Sequence, residues 1–186
     1  PYLLPIPINH YLNPKSSYGI SKTAGEQYIH LSGLDYVTFR LANVYGPRNI
    51  SGPLPVFYSR LTNNKPCFVM DTRRDFVYVD DLVSVVIKAV DGIGSGTYHV
   101  SSGSDISIKE MFDATTSALN MGTIDVEVRP RLEDDAPSIL LEPSKTNQTF
   151  DWAANTTLKE GVKNAVSYYH KFGIKETFTH LHSVEE

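Results

Sequence analysis

Cysteine is almost absent: the 186-residue chain has one, Cys67. An internal disulfide is therefore excluded, and the usage fits a reducing compartment such as the cytoplasm. No apolar run approaches the roughly 20 residues that cross a bilayer. No signal sequence is visible, so no membrane partner is expected. Basic clusters are lacking as well. Lys and Arg number 17 against 21 Asp and Glu, leaving a formal charge of −4 with both signs interspersed, which argues against nucleic acid as a partner. There is no internal repeat and no low-complexity linker. No Gly-x-Gly-x-x-Gly turn occurs, so a phosphate-cradling loop of that type is not among these residues.

What is present is a globular balance, 41% hydrophobic and 20% charged, in a chain long enough for one domain with its own core. Sequons at Asn49, Asn147 and Asn155 read as chance matches in the absence of a secretory signal. The chain opens on Pro1 in the apolar, proline-rich piece PYLLPIPINHYLNP, which reads as the middle of a longer protein.

Strands and helices alternate. Ser16 or Ser17 is placed to cap a helix running to about Ser32, ended by Gly33. The β-branched and aromatic run YVTFRLANV (36–44) predicts a buried strand. A loop at 45–53 leads into a helix to about Thr62, and short strands are expected at 67–70 and 75–79. Asp80 or Asp81 is expected to cap a helix to Val90. A strand over 96–102 precedes SIKE (107–110), whose Ser-x-x-Glu spacing is a capping box. A strand at 124–128, a polar loop at 129–142 and a short helix at 143–150 follow. TLKE (157–160) is a second capping box opening a helix to about His170. The alternation predicts an α/β fold with parallel pairing.

Within SSYGISKTAGEQY (16–28), Tyr18 and Lys22 are four apart and share a helix face. A free phenol titrates near pH ~10 and is a poor base at neutrality. A cation held beside a phenol favours the phenolate, which lets a tyrosine take or give a proton. The spacing alone equally fits a surface lysine beside a half-buried tyrosine.

The wider pattern decides more. NPKSSYGISKTAGEQY resembles the catalytic helix of the extended short-chain dehydrogenase/reductases, the nucleotide-sugar epimerases and dehydratases. Pro14, Ser17, Tyr18, Gly19, Ser21, Lys22 and Glu26 fit its pattern in order. FRLANVYGPRN (39–49), RDFVYVDDLV (74–83), GTYHVSSG (96–103) and the segment from PSK to SYY (143–169) resemble later segments of the same family, so the likeness runs to about residue 172.

That resemblance implies a Rossmann-type, doubly wound parallel sheet, here its C-terminal part, plus a smaller α/β substrate-binding domain. Residues 1–50 would complete the NAD-binding domain and 51–186 would mainly bind the nucleotide-sugar. It implies Tyr18 as acid/base and Lys22 as its partner on the nicotinamide ribose, both touching the cofactor, with Leu41 and Ala42 passing beside the nicotinamide. Asn43 and Arg74 would contact the sugar nucleotide's diphosphate. Arg131 would be a second nucleotide arginine, with Arg129 its rival, and Met70 would pack on the base or in the core. The expected cofactor is NAD rather than NADP, and the substrate a nucleotide-diphosphate sugar. The reaction would be epimerisation through a transient 4-keto sugar, with 4,6-dehydration, uronic acid decarboxylation and mere nucleotide-sugar binding as alternatives. A homodimer through the Tyr18 helix is implied, with Ile20, Ala24, Tyr28 and Leu31 outward. Arg40 reads as structural, Trp152 as core, His99 as a satisfied strand histidine, and Asp134 and Asp135 as solvated loop carboxylates. His180 and His182, two apart, would not share a helix face, so no metal site is expected.

Overall fold

The computed structural model describes residues 3–132, 135–174 and 177. Helix α1 (Ser17–Leu31) leads into strand β1 (Val37–Leu41), and β2 (Asn43–Tyr45) follows after one residue. Then come α2 (Pro53–Thr62), β3 (Phe68–Met70), β4 (Arg73–Tyr78), α3 (Val79–Val90), β5 (Gly96–Val100), β6 (Asp105–Ser107) and α4 (Ile108–Ala118). The chain continues through β7 (Glu127–Arg129), β8 (Ser138–Ile139), α5 (Ser144–Phe150) and α6 (Leu158–Phe172). The architecture is α/β with mainly parallel pairing, as the alternation predicts. No helix among the described residues is long and apolar enough to cross a membrane.

The run 37–45 changes partners midway. β1 pairs in parallel with β5, whereas β2 pairs in parallel with β4. Ala42 stands at the change, and its N–H donates to Val100 O at 2.9 Å. β4 also takes antiparallel β6 and parallel β8 along its first half, and β3 pairs with β7. The second half of β4, Phe76 to Tyr78, is covered on both faces and is apolar throughout, whereas its first half is charged. Phe76 and Tyr78 enter a core shared with α2, α4 and α6, while Val77 enters a smaller core with Val85, Tyr98, Phe150 and Trp152. Trp152 is thus core, as read.

Local signals explain most boundaries. Ser16 Oγ accepts from Gly19 N at the start of α1, and the Ser107–Glu110 capping box is reciprocal. Thr157 caps α6 by accepting from Glu160 N. α3 differs from expectation: it begins at Val79 with Tyr78 at the cap, so Asp80 and Asp81 fall in its first turn. There they still meet the positive end of the helix. Asp81 Oδ2 accepts from Thr156 N instead. The strand expected at 124–128 lies at 127–129, and the loop expected at 129–142 contains β8.

Two glycines permit close approach. Gly46, at φ 146°, has no room for a Cβ, which would meet Val79 Cγ1 at 2.7 Å. Gly161 on α6 lets the ring of Tyr45 lie against the helix backbone.

Candidate active site

Tyr18 and Lys22 lie one turn apart at the start of α1, on one face. The Lys22 ammonium is 5.4 Å from the centroid of the Tyr18 ring. The phenol side chain is 71% exposed. The helix is tied down elsewhere: the Arg40 guanidinium of β1 grips Glu26 with two bonds, 3.0 and 2.6 Å, and also donates to Ile8 O at 3.0 Å. Those bonds hold the Glu26 carboxyl below the usual carboxylate range. Arg40 is structural, as the sequence suggests.

Leu41 ends β1 beside Val100 at the end of β5, and Ala42 follows at the change of partner strand. Asn43 opens β2. Its Nδ2 donates to Asp75 O at 3.1 Å, and the residue borders a cleft of about 340 Å³ with Tyr45, Asn49, Ser51, Gly52 and Phe76. The start of α2 forms part of that wall. Tyr169 of α6 steadies the adjoining loop by donating to Gly46 O (3.1 Å) and Asn49 O (2.9 Å).

Asp75 was legible only as part of a motif, yet it organises this end of the sheet. It is fully buried and has no cationic partner among the described residues. Its carboxylate accepts from Ser101 Oγ (2.5 Å), Ser102 N (3.1 Å), Ser102 Oγ (3.0 Å) and Leu141 N (3.1 Å). Neutral donors thus satisfy a charge that burial alone would make costly. The sequence signal was an aspartate directly before the apolar run Phe76 to Tyr78.

Arg74 and Arg131 meet through Asp135. Arg74 Nη2 holds both Asp135 oxygens at 2.7 Å, and Nη1 donates to Arg73 O (2.7 Å) and Ala136 O (2.9 Å). Arg131 Nη1 donates to Asp135 O at 2.9 Å. Asp135 is therefore an ion-pair partner rather than a solvated loop carboxylate, while Asp134 lies outside the described residues. Arg129 is occupied by Glu127 and lies over the Phe68 ring at 3.8 Å. Met70 ends β3 opposite Arg129.

His99 departs from expectation. It is buried, and its Nδ1 finds no partner among the described residues. Burial pushes its imidazole below the ordinary range. His180 and His182 lie outside the described residues. No hydrogen bond or ion pair among the described residues links the Tyr18–Lys22 pair directly to the Asn43–Arg74 group.

Comparison with known proteins gives consistent matches. Residues 4–100 match the profile of the NAD dependent epimerase/dehydratase family. The chain is 30% identical over 179 residues to a putative UDP-glucose 4-epimerase of Methanocaldococcus jannaschii, covering 90% of this chain and 58% of that protein. It is 30% identical over 171 residues to UDP-glucose 4-epimerase of Mycolicibacterium smegmatis, covering 85% and 54%. Among solved structures, the Bordetella bronchiseptica enzyme WbmH in complex with NAD+ superimposes with a TM-score of 0.88 at 52% identity, covering 94% of this chain and 58% of that one. WbmG of the same organism, in complex with NAD and UDP, gives 0.88 at 40% identity, covering 98% and 58%. The chain spans about half the length of the curated relatives it matches.

Proposed function

The chain belongs to the NAD-dependent epimerase/dehydratase family, and on that premise we propose that it serves an NAD-dependent nucleotide-sugar epimerase working through a transient 4-keto sugar. The observation that carries this reading is the pair Tyr18 and Lys22, one turn apart on one helix face, with the ammonium 5.4 Å from the ring centroid.

The residues fit a dinucleotide. Parallel β1 and β5 end together at Leu41 and Val100, and α/β sheets bind such cofactors outside the carboxyl ends of their strands. Lys22 would hold the nicotinamide ribose, and Leu41 and Ala42 would flank the nicotinamide. NAD, when bound, supplies the redox chemistry. The chain supplies proton movement and grip. Tyr18 accepts the proton of the sugar C4 hydroxyl through its phenol oxygen and returns it after the ketone has turned over in the pocket. The result is inversion at C4.

The cleft beside Asn43 is suited to a diphosphate. The N-terminus of α2 forms part of its wall; Pro53 and Pro55 carry no N–H, so what it offers an anion is the helix dipole rather than a row of donors. Asn43 would offer its second amide hydrogen there, the first being held by Asp75 O, and Arg74 and Arg131, which lie outside the lining of that cleft, would bring guanidinium forks that match phosphate oxygens. Met70 would lie against the base. Within this reading UDP is the nucleotide, residues 1–50 serve the cofactor and residues 51–186 mainly the nucleotide-sugar. A second copy pairs across the exposed face of Ile20, Ala24, Tyr28 and Leu31.

The test is Tyr18→Phe in the full-length protein, assayed with NAD and UDP-glucose. Turnover is expected to fall by about 10²–10⁴, the scale of general acid–base catalysis, with UDP affinity unchanged by calorimetry. Undiminished turnover would overturn the reading.

A further inference from the structure

Arg74 offers its fork to an anion, yet the fork already holds one. A guanidinium has five N–H donors. Four hydrogen bonds are already made, two of them to the two oxygens of a single carboxylate, Asp135, at 2.7 Å each. Both bonds come from Nη2, so Asp135 takes the end of the guanidinium that an incoming phosphate oxygen would have to use. The same residue occupies Arg131 through its backbone carbonyl at 2.9 Å. One aspartate therefore engages both arginines that the reading above assigns to the diphosphate.

The geometry of the segment suits exchange. Asp135 lies in the connection between β7 and β8, and β8 is anchored to β4 through Arg73 N to Pro137 O at 2.8 Å. The backbone just beyond Asp135 stays held by that bond and by Arg74 Nη1 to Ala136 O at 2.9 Å, so exchange asks only for rotation of the Asp135 side chain. Asp135 is 38% exposed and Arg74 15%, so the carboxylate is the partner that water reaches more easily.

We propose that Asp135 sets the affinity of the nucleotide site: it stands in for the diphosphate on Arg74 and is displaced when nucleotide arrives. The inference rests on the nucleotide-sugar reading. Its physical content is a subtraction. Binding gains two guanidinium contacts with the ligand and loses one internal ion pair, so affinity is lower than the contacts alone would give.

The experiment is UDP titration calorimetry on the full-length protein with Asp135→Asn, alone and combined with Arg74→Ala. Asp113→Asn, which removes a half-buried α4 carboxylate paired with Lys109, controls for net charge. Asp135→Asn is expected to bind UDP roughly three- to fivefold tighter, the upper scale of a partly exposed ion pair. The gain should fall below about twofold in the Arg74→Ala background, because coupled residues are non-additive. Asp113→Asn should change nothing. Unchanged or weaker binding by Asp135→Asn overturns the exchange and makes Asp135 a residue that orients Arg74 instead. A gain that survives Arg74→Ala, or appears in Asp113→Asn, is long-range charge and also overturns it. A wild-type protein that ignores UDP overturns the nucleotide-sugar reading itself, a result distinct from the other two.

Discussion

Helices α1 and α6 are each 15 residues long, and they are held in opposite ways. α6 buries Val162, Ala165, Val166 and Tyr169 along one stripe, and Gly161 admits Tyr45. α1 buries no residue, although it carries Ile20, Tyr28, Ile29 and Leu31. Its attachment is chiefly polar: Arg40 of β1 to Glu26, with His30 bonded to Thr97 of β5. The difference teaches that apolar content does not say where a helix packs. Periodicity does, and a weakly amphipathic helix is placed by whichever specific contact it has.

The contrast can be broken most forcefully at Tyr169. This residue is 1% exposed and carries two hydrogen bonds to the loop after β2. Tyr169→Ala should cost about 3–5 kcal/mol of unfolding free energy in a urea titration. A loss near zero would mean that α6 is not the structural helix of the pair.

A middle-sized effect belongs to Glu26. Glu26→Gln should cost about 1–2 kcal/mol, since it removes a charge-assisted bidentate contact. The pH dependence has a fixed sign. The carboxyl titrates lower in the folded chain than its ordinary value of 4.5 because of Arg40. Its contribution is therefore full above that value and is lost as pH falls through the folded value. Thermal melts of wild type and Glu26→Gln should converge in acid. Melts that stay parallel down to low pH would remove the ionic tether from the account.

The smallest effect is expected at Tyr28, which is 76% exposed. Tyr28→Ala should change unfolding of the dilute single chain by less than about 0.5 kcal/mol. Self-association, followed by sedimentation across a concentration series, should weaken. A stability cost matching that of Tyr169 would erase the distinction between the helices.

Local chemistry made much of this legible. The Ser107–Glu110 capping box, the Thr157 cap and the aromatic run of β1 all act over a few residues, so composition reveals them. Asp80 and Asp81 misled because an aspartate in the first helical turn and one at the cap carry the same signature. β6 and β8 went unread because strands of three and two residues exist only through pairing with β4. The motif residues Tyr18, Lys22, Asn43 and Arg74 could be named from the chain. Asp135 meets Arg74 across 61 positions of sequence, which no local pattern records. The Nδ1 of His99, unpartnered among the described residues, was hidden for the same reason, since strand pairing and burial decide it.

The Asp75 carboxylate has a consequence for assembly. Its donors come from Ser101, Ser102 and Leu141, up to 66 residues away in sequence. Any one of these segments arriving alone would trap a dehydrated negative charge with part of its coordination missing. The segments therefore favour joining β4 together, and a chain that misthreads one of them is penalised at the others. A single acidic side chain thus acts as a coincidence detector for correct threading, at the point where Asn43 meets the sheet.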